Sequence, residues 1–224
     1  MATPARKSIP AVVRPKSRMH GEDRHRQLLN IAIQGFAQKG FSGTKTKDIA
    51  AAAGVSEAIL FRHFASKEDL YQAILDSKET REGTSLCIQE FETLAARRDD
   101  RGLFLKLGSA IVGSFKEDPA FHRLVLYASL EGHLLASLFR ERFGLPMENF
   151  LRRYIVLRQK EGVFHKCDPS IVMNFACGVF VQYAMARHLF GAKHSPLPDE
   201  AVVKQMVTLI MRGLRKQPKK GNDA

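Results

Sequence analysis

Cysteine is scarce in this chain: there are three, Cys87, Cys167 and Cys177, isolated and odd in number. Such a set supports neither a disulfide framework nor a zinc knuckle, and a reducing cytoplasm is the expected compartment. Prolines are also few, nine in 224 residues, which suits an all-α chain because proline breaks helix interiors. No alternating strand pattern and no internal repeat runs through the sequence. Residues 1–20 contain no apolar stretch of secretory-signal length, so no signal peptide is expected. The longest apolar run, Ile171 to Ala186, is interrupted by Asn174 and Gln182. It falls short of the ~20 residues of a membrane span, so a buried or interface helix is expected there and no membrane partner. A Gly-rich phosphate loop, a nucleophile-elbow serine and a histidine pair at zinc-site spacing are all missing. His165-x-Cys167 and His188-x5-His194 are the ligand-like pairs, and both read as loop or surface residues. No catalytic residue, metal site or cofactor is predicted, and the chain is not expected to be an enzyme.

What is present is a folded composition with an uneven charge. Hydrophobic residues make up 45% of the chain, enough to exclude a disordered protein and to build one or two cores. The net charge of +12 is concentrated at the ends. Residues 1–67 hold twelve Lys/Arg against four Asp/Glu, residues 212–224 hold five against one, and the span between is neutral. A basic N-terminal part followed by a neutral one is the electrostatic footprint of a nucleic-acid binder with a separate second domain. Basic tails that only aid solubility are the alternative on charge alone.

Residues 46–64 decide between these. TKDIAAAAGVSEAILFRHF is a short helix pattern, a glycine and a second short helix pattern. Gly54 ends the first helix without a Cβ clash, Val55 fills the corner, and Ser56 caps the second helix. Leu60 and Phe64, four apart, share a core-facing side. A close helix pair about a glycine is the helix-turn-helix, whose second helix enters a DNA major groove. Upstream, Leu29, Ala32, Ile33 and Phe36 form one helical stripe that Gly40 ends. Downstream, Ser66 followed by Asp69 is a capping-box pattern that opens a helix carrying Leu70, Ile74 and Leu75.

The run from Arg24 to Leu75 resembles the DNA-binding domain of the tetracycline-repressor (TetR) family. The resemblance rests on Ala32, Phe36, Gly40-Phe41, Thr44, Thr46, Asp48-Ile49-Ala50, Ala53-Gly54-Val55-Ser56, Leu60-Phe61, His63-Phe64 and Ser66-Lys67-Glu68. The expected architecture is an N-terminal three-helix helix-turn-helix DNA-binding domain over 21–81 and a C-terminal helical ligand-binding and dimerisation domain over 82–216. A disordered basic arm (1–20) and a basic tail (217–224) flank them. Thr44, Lys45 and Thr46 precede the first helix of the pair, where hydroxyls, amides and a lysine reach phosphate. Base reading falls to Ser56, Glu57, Ala58, Ile59 and Arg62: Arg62 suits guanine, Glu57 a cytosine amine, and Ile59 or Ala58 a thymine methyl. A solvated face without base contact is the alternative for Arg62 and Glu57. The resemblance further implies phosphate contacts at His63 and Lys67. Phe61 shares the DNA-facing position at which the family usually has Tyr. Ala58 stands where Gly is frequent and Ile59 where Thr is, so the operator sequence cannot be borrowed from a relative. The spaced Arg and Lys of the arm suggest that it follows the backbone or enters the minor groove.

Beyond residue 83 the pattern predicts helices near 84–97, 100–116, 120–141, 147–162, 169–190 and 199–215. The 169–190 helix is apolar nearly all round, which demands burial on more than one side. The resemblance implies that it pairs with 199–215 and the same two helices of a second subunit, giving a homodimer that reads a palindromic double-stranded operator. It also implies a ligand cavity between helices for a small hydrophobic or aromatic effector. Candidate ligand-binding residues are Phe104, Leu107, Tyr127, Glu131, Phe150, Tyr154 and Asn174. The function expected is a ligand-released repressor. An architectural or protein-recruiting DNA binder without small-molecule control is the alternative.

Overall fold

The structure is a computed structural model and describes residues 21–81, 84–192 and 195–216. The predicted arm (1–20) and tail (217–224), and His194 of the second ligand-like pair, lie outside the described residues. In chain order the helices are α1 (Gly21–Gly43), α2 (Thr46–Ala52), α3 (Glu57–His63), α4 (Lys67–Arg81), α5 (Thr84–Ala96), α6 (Asp100–Glu117), α7 (Pro119–Leu130), α8 (Leu134–Phe139), α9 (Leu145–Lys160), α10 (Pro169–Ala184) and α11 (Asp199–Leu214). The all-α expectation holds among the described residues, where the single extended pairing is an isolated bridge between Phe164 and Arg215.

The chain divides into two compact units. One is the described part of Met1–Gly83 together with Ala120–Arg140; the other is Thr84–Pro119 with the described part of Glu141–Ala224. Residues 120–140, placed in the second domain by sequence, therefore belong to the first unit. A single helix over 120–141 is also not what forms. Gly132, with φ 64°, closes α7: its amide reaches Ser129 O and the His133 amide reaches Ala128 O, a Schellman ending. His133 then caps α8, its ring nitrogen accepting from the Leu135 amide at 3.3 Å. Conversely, the expected break at Gly144-Leu145-Pro146 does not occur. A π-helical turn, Arg140–Gly144, runs into α9, and Pro146 sits in the first helical turn, where its missing N–H is not needed.

In the first unit Leu29, Ala32, Ile33 and Phe36 of α1, Ile49 of α2, Leu60 and Phe64 around α3, and Leu70, Ile74 and Leu75 of α4 are all buried. These include the predicted stripes. In the second unit α6 packs on α10 and α11. The approach is close at Gly108, where a Cβ would stand 2.7 Å from Phe180 and 2.8 Å from Val203. Its polar anchor is buried: Arg158 of α9 grips Asp100 of α6 with Nε–Oδ1 2.7 Å and Nη2–Oδ2 2.9 Å, and the Tyr154 hydroxyl donates to Asp100 Oδ1 at 2.6 Å.

The sequence predicts burial of the 169–190 segment on more than one side; within this chain one side is buried and the other, still partly apolar, is open to solvent. Val172, Met173, Ala176, Phe180 and Tyr183 of α10 are buried, whereas Ile171 and Phe175 are 63% and 57% exposed. With its terminal π turn this segment, Pro169–Leu189, spans 21 residues and is long and apolar enough to cross a membrane. That corrects the expectation from the sequence that it is too short. Its packing against α6, α9 and α11 makes it the central helix of its unit, which passes the same test of length and composition.

Candidate nucleic-acid interface

The corner between α2 and α3 is built as its sequence demands. The Gly54 amide reaches Ala51 O and the Val55 amide reaches Ala50 O, with Gly54 at φ 69°. Ser56 then starts α3, its hydroxyl accepting from the Ile59 amide at 3.4 Å. Leu60 and the C-terminal Phe64 are buried, which fixes the roll of α3 about its axis. Ser56, Ala58, Phe61 and Arg62 are consequently exposed, and Glu57, Ile59 and His63 half-exposed. Phe61 is unusual in this set, an aromatic ring 44% open to water. Ser66 caps α4 by accepting from the Asp69 amide at 3.0 Å.

Four of the predicted contact residues, Thr44, Thr46, Glu57 and Lys67, are engaged within the protein. Thr44 is 1% exposed, and its hydroxyl donates to Gly40 O at 2.8 Å. It closes the bend after α1 rather than facing phosphate. The carboxylate of Glu57 accepts from the Thr46 hydroxyl at 2.5 Å, so this pair ties the first turn of α2 to that of α3, with neither side chain standing out for a base or a phosphate. Lys67 points its ammonium at the Phe41 carbonyl and lies 4.1 Å from the centre of the Phe41 ring. Burial pushes the Lys67 ammonium below its ordinary value, countered by Glu68 and Glu131. Lys45, by contrast, is exposed at the start of α2. The structure adds Lys47, exposed in the first turn of α2. It was missed, although a second lysine two positions after Lys45 was visible in the sequence.

Lys67 is half of a clamp on the bend between α1 and α2. Glu131, from the turn after α7, accepts from the Phe41 amide at 3.1 Å, so the two polar groups of Phe41 are held by opposite charges from two elements. The Phe41 ring also packs, tilted, against His133 at 4.1 Å and Tyr71 at 4.9 Å. Burial lowers the His133 imidazole below its ordinary range. The clamp depends on Gly40, which kinks α1 with φ 70° and ψ −179°, a region open essentially to glycine alone. A Cβ there would stand 2.3 Å from Glu131 Oε1. Gly40→Ala is expected to cost about 1–3 kcal/mol from backbone strain alone. It should also free the Phe41 amide, seen as its faster hydrogen exchange. Unchanged stability together with an unchanged exchange rate would rule the clamp out.

The candidate ligand residues do not come together as one set. Phe104, Leu107, Phe150 and Tyr154 are buried in the second unit, with Tyr154 committed to Asp100. Tyr127 and Glu131 lie in the first unit, where Glu131 is part of the clamp. Asn174 is exposed beside Phe175, not lining an interior cavity. An open cleft of about 310 Å³ runs past Val112, Lys116 and Val203, and another of about 730 Å³ past Arg187, His188 and Pro196. None of the predicted ligand residues lines either cleft.

Residues 28–74 match the model of a family described as bacterial regulatory proteins, tetR family. Over 204 residues the chain is 22% identical to the uncharacterized HTH-type transcriptional regulator YvkB of Bacillus subtilis (strain 168), covering 85% of this chain and 96% of that one. Over 52 residues it is 44% identical to the HTH-type transcriptional repressor KstR2 of Rhodococcus jostii (strain RHA1), covering 23% and 26%. The fold is similar to that of AibR in complex with isovaleryl coenzyme A and operator DNA, with a TM-score of 0.56 and 18% identity, over 83% of this chain and 97% of that one.

Proposed function

We propose that the chain, whose residues 28–74 match the tetR family of bacterial regulatory proteins, is a sequence-specific DNA-binding transcriptional regulator of that family, a homodimeric repressor released by a small apolar effector. The observation that carries this is the geometry of α3. Ser56 caps it and Leu60 and Phe64 anchor it, so that Ala58, Phe61 and Arg62 stand free on one solvent-facing side. That side enters a major groove, and Lys45 and Lys47 at the start of α2 reach the phosphates beside it. Two copies related by a dyad present two such helices, with half-sites ~34–36 Å apart on one face of the duplex. The protein acts in the cytoplasm and is a regulator rather than an enzyme.

The effector belongs in the apolar core of the second unit, among Phe104, Leu107 and Phe150. Isovaleryl coenzyme A, bound by the similar AibR, supports an effector that carries a short apolar group. Such a ligand releases DNA only to the extent that it binds the DNA-incompetent conformation better than the competent one.

The deciding experiment is selection of bound duplexes from a random pool at near-physiological salt, followed by sequencing. A two-fold palindrome, preferred over random DNA by ~10³-fold or more, is the expected result. Binding without sequence preference that fades steeply with salt would instead indicate an architectural DNA binder. On the selected duplex, Arg62→Ala is expected to cost about 1–3 kcal/mol and to relax preference at one base pair. Equal loss on every sequence would reassign Arg62 to a phosphate.

A further inference from the structure

Two imidazoles meet where the reading helix touches α1. His63 ends α3, and its ring centre lies 5.9 Å from that of His25. His25 in turn packs on the buried Phe64 at 4.6 Å, tilted by 36°, so a core aromatic side chain holds it beside its neighbour. The charged groups acting on His63 are His25 and Arg24 from α1 and Arg62 from its own helix, all cationic or able to become so. The nearby acid of α1, Asp23, is paired with Arg26 at 3.0 Å. Among the described residues, Glu22 and Asp23 are the acids of the first turn of α1, yet the charges that act on His63 itself are cationic or able to become so.

We propose that His25 and His63 form a proton-accepting pair at the DNA-binding face, so that operator binding takes up a proton at His63 and strengthens as pH falls. The proposal rests on the reading that α3 faces DNA. His25 acts as the positioning residue, holding the second imidazole against Phe64 and within reach of His63. Burial first, then His25, Arg24 and Arg62, lower His63 below its ordinary value, which leaves it neutral in the free protein at neutral pH. Phosphates of a bound duplex bring the missing negative charge and favour the charged form. The pKa in the complex is thus raised above that in the free protein. The gain in affinity is complete below the free-protein pKa and is lost as pH rises through the pKa of the complex. Each unit of that rise corresponds to about tenfold in affinity.

The test uses the full chain and the duplex recovered by selection, with affinity measured from about pH 8 down to about pH 6, a window that brackets the ordinary imidazole range. Ionic strength is held constant because counterion release depends on salt. Wild type is expected to gain about three- to tenfold over that window, with His63→Gln losing the slope. His25→Gln removes a neighbour that holds His63 down and should move the slope to higher pH. Calorimetry in two buffers of different ionisation heat reads the proton directly: a heat of binding that depends on the buffer supports uptake. A heat independent of buffer, or a slope unchanged in His63→Gln, overturns the proposal. A duplex bound with no proton uptake overturns this inference alone, whereas failure to bind any duplex at any pH overturns the DNA-binding reading with it.

Discussion

An Asp100→Ala chain is expected to be about 3–5 kcal/mol less stable than wild type, the cost of breaking a buried ion pair by removing one partner. Asp100 has a side chain 1% exposed, and Arg158 one that is 10% exposed. Both carboxylate oxygens accept from the guanidinium, and Oδ1 accepts a third bond from the Tyr154 hydroxyl. Loss of the carboxylate leaves a guanidinium fork out of water with only Glu161 to face, and a buried phenol without an acceptor. The bond to Asp100 raises the Arg158 guanidinium above its already high ordinary value. Burial, then the bond to Asp100, raises the Tyr154 phenol above its own. In the variant the guanidinium still stays charged, because arginine does not deprotonate in proteins, and burial alone keeps the Tyr154 phenol protonated, so the damage cannot be repaired by deprotonation. Tyr154→Phe, which removes a single bond of the set, should cost about 1 kcal/mol. Urea unfolding of the two variants beside wild type settles the matter: losses below 1 kcal/mol for Asp100→Ala would mean that water reaches the pair.

The second large effect concerns assembly. Ile171 and Phe175 are one helical turn apart on α10, and the exposed Gly178 and Gln182 continue their line. Leu209 of α11 is likewise 65% exposed. The exposed Ile171 and Phe175 of α10, with Leu209 of α11, are apolar side chains of the kind that a two-fold partner buries. The double variant Ile171→Glu, Phe175→Glu places two carboxylates on that surface, where burial against a partner requires desolvating unpaired charge. It is expected to sediment as a monomer with unchanged helix content. Operator affinity should fall by ~10³-fold or more toward the non-specific level, because one reading helix then engages one half-site. A variant that remains a dimer at wild-type concentrations would place the interface elsewhere.

Those parts of the protein whose physics is local were legible in the order of residues alone. Gly54 and Ser56 specify a turn and a cap within a few residues of themselves, and the corner between α2 and α3 follows from them in the structure. The stripes through Leu29 to Phe36 and Leu70 to Leu75 announced which faces are buried, because burial of a helix face is written at a spacing of three and four. The apolar circumference of the 169–190 segment likewise announced a helix wanted on two sides.

What each polar side chain does follows from packing between distant segments. Thr44, Glu57 and Lys67 have the chemistry of DNA contacts, and their spacing near the helix pair is right. Their partners are Gly40, Thr46 and Phe41, supplied by the bend after α1 and by the packing of α2 on α3. Glu131 meets Phe41 from 90 positions away, and with it residues 120–140 join the first unit. Asp100 finds Arg158 from 58 positions away. A hydrogen bond is satisfied by whichever group the fold brings within about 3 Å. A one-dimensional pattern of periods and caps carries the helices, but not the pairings between residues that only folding makes neighbours.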